Sequence, residues 1–152
     1  MESIDLLVLR TTRDWLATGH RVLLATVART WGSSPRPVGS MMALRSDGRV
    51  AGSVSGGCIE DDLIHRYTTA YGGPGMPDGQ PQMVRYGVSA DEAHRFGLPC
   101  GGTLELVLEF APALAHLDQL LACLGRGSLV RRDLNLRSGE ASLCATGTPE
   151  LF

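Results

Sequence analysis

Lysine is missing from this 152-residue chain: all fourteen basic residues are arginine. Without lysine there is no Walker A lysine to hold a nucleotide phosphate and no residue for a Schiff base, so two broad enzyme classes fall away. A high-GC coding bias is the plain explanation for the arginine. Basic runs are missing as well, and a net charge of −2 leaves no electrostatic footprint for nucleic acid or a membrane surface. The opening MESIDLLVLRTTRDW has only a short apolar stretch broken by charge, neither a signal peptide nor a membrane span. The expectation is a soluble, cytoplasmic protein. No repeat or low-complexity tract is present. Cysteine is scarce, at Cys58, Cys100, Cys123 and Cys144 only, and no two form a C-x-x-C pair. That spacing speaks against a structural zinc site and a thioredoxin-type motif, and a disulfide framework is not expected in a cytosolic domain of this size.

What is present reads as one domain, residues 1–152, long enough to bury a real core. Ile4, Leu7, Val8, Thr11 and Trp15 recur at helical spacing after Ser3, with Gly19 as a stop. Arg21 to Thr30 is apolar and β-branched, a buried strand; Trp31 to Ser40 is a loop by its Gly, Ser and Pro content. SMMALR and RVAGSVS flank Ser46-Asp47-Gly48, a strong hairpin signal. A helix begins at about Cys58 with Ile59, Leu63, Tyr67 and Ala70 on one face, and a Gly/Pro-rich loop follows from Tyr71 to Gln82. MVRYGV is a short strand, and SADEAHRF one or two helical turns. Thr103 to Phe110 alternates cleanly, with Leu104, Leu106, Leu108 and Phe110 on one face and Thr103, Glu105, Val107 and Glu109 on the other. An amphipathic helix uses Leu114, Leu117, Leu120, Leu121 and Leu124 and ends at Gly125; a last hairpin turns at Ser138-Gly139. The fold class is α/β, of α+β character: a mixed, largely antiparallel sheet with flanking helices.

Two glycine–cysteine loops stand out. In GSVSGGCIE a strand delivers the chain to Ser55-Gly56-Gly57 and a helix starts at Cys58. Glycines let a ligand approach the backbone, and amides at a helix start attract anions and favour thiolate. Yet Glu60, Asp61 and Asp62 in the first turn oppose a dianion. Gly52, Gly56 and Gly57 also miss the G-x-G-x-x-G spacing of a dinucleotide fingerprint. On its chemistry alone Cys58 reads better as a small buried residue at a strand–helix turn. Cys100, between Pro99 and Gly101-Gly102, is poorly placed to pack, and its reading stays open between structure and function. Cys123 and Cys144 read as structural background. Arg36 lies between two prolines with Ser33 and Ser34 nearby, a stiffened guanidinium fork suited to phosphate or carboxylate; taken alone, a solvated turn arginine fits slightly better. His65 and His94 have no partner at metal-ligand spacing.

Together, RTWGSSPRPVGSMM, GSVSGGCIEDDL and FGLPCGGTLELVLE resemble the XdhC/CoxI family, in its N-terminal domain, from about Leu16 to about Gly147. The resemblance implies an accessory protein of xanthine dehydrogenase or carbon monoxide dehydrogenase. Such a protein binds the molybdenum cofactor (molybdopterin) transiently, protects it while its sulfido ligand is installed, and hands it to the hydroxylase apoenzyme. It further implies Cys100 as the metal-side thiol with Cys58 second. Ser55, Gly56, Gly57, Gly101 and Gly102 become loop amides, and Arg36, with Ser33 and Ser34 beside it, the phosphate site. Thiolates are the soft ligands such a metal needs. The acidic helix start puts the phosphate nearer Arg36 and the pterin or metal end nearer Gly57. The two loops are accordingly expected to converge on one site. Longer members continue into a Rossmann-like domain, and no such segment follows here, so the chain reads as a short member or a piece of a longer protein. A homodimer is expected from the resemblance. Two alternatives stand beside the carrier: a sulfur-transfer protein charged by a cysteine desulfurase, and a docking adaptor that never touches the cofactor.

Overall fold

The computed structural model describes residues 3–31, 36–55, 58–87, 103–127 and 130–145. Its elements in chain order are α1 (Ser3–Ala17), β1 (Val22–Trp31), β2 (Met41–Arg45), β3 (Val50–Gly52), α2 (Cys58–Tyr67), β4 (Gln82–Tyr86), β5 (Thr103–Phe110), α3 (Leu114–Gly125), β6 (Val130–Leu134) and β7 (Ala141–Ala145). Five strands form one sheet in the order β3-β2-β1-β5-β4, and β6 and β7 form a separate two-stranded sheet. Every pairing among the described strands is antiparallel. The expected α/β class with a largely antiparallel sheet and flanking helices is what the chain adopts. No described helix is long and apolar enough to cross a membrane.

β1 is central, and both faces of its first half are covered, which is why Val22–Ala25 is continuously apolar rather than alternating. Leu23, Ala25 and Val27 join Met42, Leu44, Leu104, Leu106 and Leu108 in one buried layer that α2 closes with Ile59 and Leu63. Val22 and Leu24 face the other way, against Val8 and Leu9 of α1 and Leu117 and Leu120 of α3. Each such fully buried leucine contributes about 1.5–3 kcal/mol relative to exposure. The sheet is therefore sandwiched between α2 and the α1/α3 pair.

Helix α1 ends where expected: Gly19 has φ +89°, its amide donates to Leu16 O, and the His20 amide donates to Trp15 O. That pair of bonds is a Schellman cap. Its buried face is displaced from the expected one. Val8, Leu9 and Thr12 are buried, with Trp15 and Leu16 packed beside them, whereas Ile4 and Leu7 are more than half exposed. The Thr12 hydroxyl is satisfied by donating to Val8 O at 2.7 Å. Two overlapping stripes fit the 3.6-residue period here, and packing chooses between them. α1 presses so closely on β3 that a Cβ on Gly52, at φ +80°, would collide with Val8 Cγ2 and lie 2.5 Å from Met41 O. Ala70 lies beyond α2 and is exposed, correcting its assignment to the helix face. α3 continues through Gly125 to a cap at Arg126, with Gly127 at φ +75°.

Glu109 is the largest departure from the alternating pattern of β5. Although on the polar face, it is only 5% exposed. The Arg132 guanidinium of β6 donates to both of its oxygens, at 2.9 and 2.5 Å, and Arg132 Nε donates to His116 Nε2 of α3 at 2.8 Å. This cluster fastens the β6–β7 hairpin to α3 and the sheet. Burial, then the neighbouring Arg132 charge, holds the His116 imidazole below its ordinary pKa.

Candidate functional site

The antiparallel order has a direct consequence for the three motif loops. β1 ends at Trp31 opposite Thr103, where β5 begins; β2 begins at Met41, paired with Thr26 of β1; Gly52, the end of β3, pairs with Met42; and Tyr86, the end of β4, pairs with Leu104. All these termini point to the same end of the sheet, with the end of β1 projecting beyond those of β2 and β3. The chain between β1 and β2, between β3 and α2, and between β4 and β5 therefore leaves and returns at that end. The N-terminus of α1 lies toward the same end, since α1 packs on β3 near Gly52 and its other terminus leads into the opposite end of β1.

Several bonds brace this end. A bulge at Val27/Arg29 breaks the β1–β5 register, and there the returning loop docks: the Val27 amide donates to Ser40 O at 2.9 Å and the Gly39 amide to Val27 O at 2.8 Å. Past the bulge, Arg29 and Trp31 share the face of Glu105. Arg85 donates to Glu105 at 3.1 Å and stands 4.9 Å from the Trp31 ring centre. Thr103 Oγ1 donates to Gly87 O at 2.9 Å, tying the start of β5 to the end of β4.

The acidic start of α2 proves to be structural scaffolding. Glu60 turns back over the strand–helix turn and accepts from Ser53 Oγ at 2.8 Å, from the Ser55 amide at 3.2 Å and from Ser55 Oγ. A glutamate in the first turn reaching back in this way follows the logic of a capping box. Asp62 accepts from Tyr86 Oη at 2.6 Å and pairs with Arg66 at 3.0 Å, joining α2 to the end of β4. Burial first, and then this bond to Asp62, pushes the Tyr86 phenol well above its ordinary pKa, so it stays a neutral donor.

Of the cofactor-site residues expected from sequence, Arg36 and Ser55 lie with their side chains among the described residues. Arg36 lines a cleft of about 430 Å³ between the start of α1 and the stretch from Arg36 to Ser40, together with Ile4, Asp5 and Val38. Ser55 is 8% exposed, and its amide and hydroxyl both donate to Glu60, so the loop-amide role expected of it meets a competing use inside the fold. Cys58 opens α2, but its thiol lies outside the described atoms. Ser33, Ser34, Gly56, Gly57, Cys100, Gly101 and Gly102 lie outside the described residues, as do His94 and the helical turns expected at SADEAHRF. His65 stacks on Tyr71 with ring centres 4.3 Å apart. Cys123 is half-buried, with Arg126 Nη2 at 3.4 Å from its sulfur, while Cys144 is exposed on β7. Among the described residues no three His, Cys, Asp or Glu side chains gather as a metal site. Sequence reasoning missed Asp5 and the Trp31–Arg85–Glu105 cluster. No local signal marks either one, because each is assembled by strands and loops distant along the chain.

The model of the XdhC and CoxI family matches residues 15–87. The molybdenum cofactor insertion chaperone PaoD of Escherichia coli (strain K12) is 34% identical over 119 residues, covering 78% of this chain and 35% of that protein. A probable xanthine dehydrogenase subunit of Bacillus subtilis (strain 168) is 25% identical over 125 residues, covering 80% of this chain and 36% of that protein. The crystal structure of a xanthine dehydrogenase from Bacillus halodurans superposes with a TM-score of 0.69 at 27% identity, over 93% of this chain and 42% of that one. The chain thus spans well under half the length of each of these relatives.

Proposed function

We propose that this chain, which belongs to the XdhC and CoxI family over residues 15–87, is a non-catalytic carrier of the molybdenum cofactor. In this reading it shields the cofactor and delivers it to a molybdenum hydroxylase of the xanthine dehydrogenase type. One relative's name, a molybdenum cofactor insertion chaperone, supports the maturation role, and the xanthine dehydrogenase relatives support the class of recipient. The observation that carries the reading is topological. The strand ends bracketing all three motif loops point to the same end of the sheet, which supports a single site shared by the loops.

The donor set suits the group. When bound, the cofactor supplies a molybdenum centre held by a dithiolene on a pyranopterin that ends in a phosphate. Arg36, at the wall of its cleft, offers a planar fork for that phosphate, with the Ser33 and Ser34 hydroxyls beside it. Cys100 is the first thiolate toward the metal and Cys58 the second, with the amides of Gly56, Gly57, Gly101 and Gly102 around the ring. Ser55 joins that set from the turn, where its amide and hydroxyl also donate to Glu60.

The test is molybdenum and pterin content per folded protomer, after anaerobic purification from a molybdate-fed host, with circular dichroism as the folding control. Wild-type protein is expected to carry both, Cys100→Ala to lose the metal, and Cys58→Ala to lose less. Arg36→Lys should retain less cofactor although charge is kept, because the fork is lost. Wild-type protein free of both metal and pterin would overturn the carrier reading. Full retention in the double cysteine variant would remove thiolate ligation.

A further inference from the structure

The cleft that holds Arg36 also holds a carboxylate. Asp5, in the first turn of α1, lines it opposite the segment from Arg36 to Ser40. Its Oδ1 is buried and accepts no hydrogen bond among the described residues. A buried acceptor without a donor is a cost that a ligand's N–H can relieve. Because a flip of the carboxylate only exchanges two equivalent oxygens, relieving that cost needs a different χ1 rotamer of Asp5, which carries the whole carboxylate toward the cleft. The cleft's other described walls include the apolar Ile4 and Val38, 52% and 60% exposed, together with Pro37, Gly39 and Ser40. Two large apolar side chains, one carboxylate and one guanidinium thus surround a space of about 430 Å³. A simple dianion gains from Arg36 but is repelled by Asp5. The arrangement suits a planar heteroaromatic ring that donates N–H along one edge and carries negative charge elsewhere.

We propose that Asp5 is a ligand-binding residue of this site, accepting hydrogen bonds from the N–H and amino donors on the aminopyrimidinone edge of a pterin, while Arg36 takes the anionic tail. The assignment rests on the carrier reading and deepens it, because it states which end of the ligand the cleft recognises and by which atoms. It also explains how a cleft of mixed charge serves an anionic ligand. Asp5 selects against phosphate or sulfate alone, and the paired ring edge restores the balance.

The test uses the purified chain and two fluorescent probes. One is a pterin with a phosphomonoester side chain; the other is the matching lumazine, in which a 2-oxo group replaces the 2-amino donor. A site built to pair with a donor rejects the analogue that lacks it, so wild-type protein should prefer the pterin by about 10- to 100-fold. Asp5→Asn should lose most of that preference, since its amide can face the lumazine oxygen: its affinity for lumazine should rise above wild type while its affinity for the pterin falls. Asp5→Ala should bind both rings weakly, and Asp5→Glu should recover part of the pterin preference. Circular dichroism and thermal melts separate these losses from a stability effect at the helix start, where an acid is favourable in its own right. Equal affinity of wild-type protein for the two rings, or unchanged discrimination in Asp5→Asn, overturns the proposal. If the protein co-purifies with molybdenum yet does not discriminate the rings, the Asp5 assignment fails and the carrier reading stands. Discrimination without co-purifying cofactor supports the ring site and defeats the carrier reading.

Discussion

Replacing Arg132 with leucine would strip a buried carboxylate of its cation. Glu109 has a side chain only 6% exposed, and the 21%-exposed Arg132 donates to both of its oxygens. Removing one member of such a pair leaves a desolvated charge, and the expected cost is about 3–5 kcal/mol. For a domain of this size each kcal/mol moves the melting temperature by about 2–4 °C, so Arg132→Leu should melt roughly 6–20 °C lower. Arg132 also loses its bond to His116, so the first region to gain hydrogen exchange should be the β6–β7 hairpin, which the cluster fastens to α3. The double variant Glu109→Leu/Arg132→Leu replaces the pair by apolar groups on a sheet face that already carries Leu24 and is covered by Leu117 and Leu120. It should return to within about 2 kcal/mol of wild type, because the stranded charge is gone. Urea denaturation of all four corners of the cycle measures this. An Arg132→Leu variant that loses less than about 1 kcal/mol, or a double variant whose loss is the sum of the two singles, would refute the reasoning.

Glu60→Ala should cost about 1–3 kcal/mol and loosen the turn before α2, because Ser53 and the largely buried Ser55 lose an acceptor; Glu60→Gln should cost less, and urea melts compare the two. Gly52→Ala should destabilise by roughly 2–5 kcal/mol, since the new Cβ combines strain at φ +80° with collisions against Val8 and the Met41 carbonyl, and a melting temperature within a degree of wild type would contradict that packing. Stability should fall on acidification below about pH 6.5 through His116. Its folded pKa is depressed, so the unfolded chain takes up the proton first, and the contribution present at neutral pH is lost as pH drops. His116→Asn should flatten that part of the stability–pH curve.

Much of the fold is legible in the chain because its signals are local. The alternation of Thr103–Phe110 defines β5 to the residue, Asp47-Gly48 marks the β2–β3 turn, and Gly19 closes α1 through a positive φ that other residues adopt only with strain. The apolar run Val22–Ala25 at the start of β1 announces a stretch covered on both faces. The three motifs that relate the chain to its family are likewise short stretches that survive as pattern whatever surrounds them. Tertiary structure decided the rest. α1 could have buried either of two overlapping stripes, and contact with Gly52 and α3 selected Val8, Leu9 and Thr12. Glu109 sits on the polar side of an alternating strand, and only the return of Arg132 from β6 offsets the cost of its burial. Glu60 turns back to accept from the amide and hydroxyl of Ser55, a contact the sequence does not announce. The antiparallel pairing in the order β3-β2-β1-β5-β4 points the loop ends to the same end of the sheet, and the packing of α1 sets Asp5 in one cleft with Arg36, thirty-one positions along the chain. Secondary structure follows from neighbours a few residues apart, where propensity and periodicity act. A binding site is made of residues far apart in sequence, and only the pairing of strands and the packing of helices determines which of them meet.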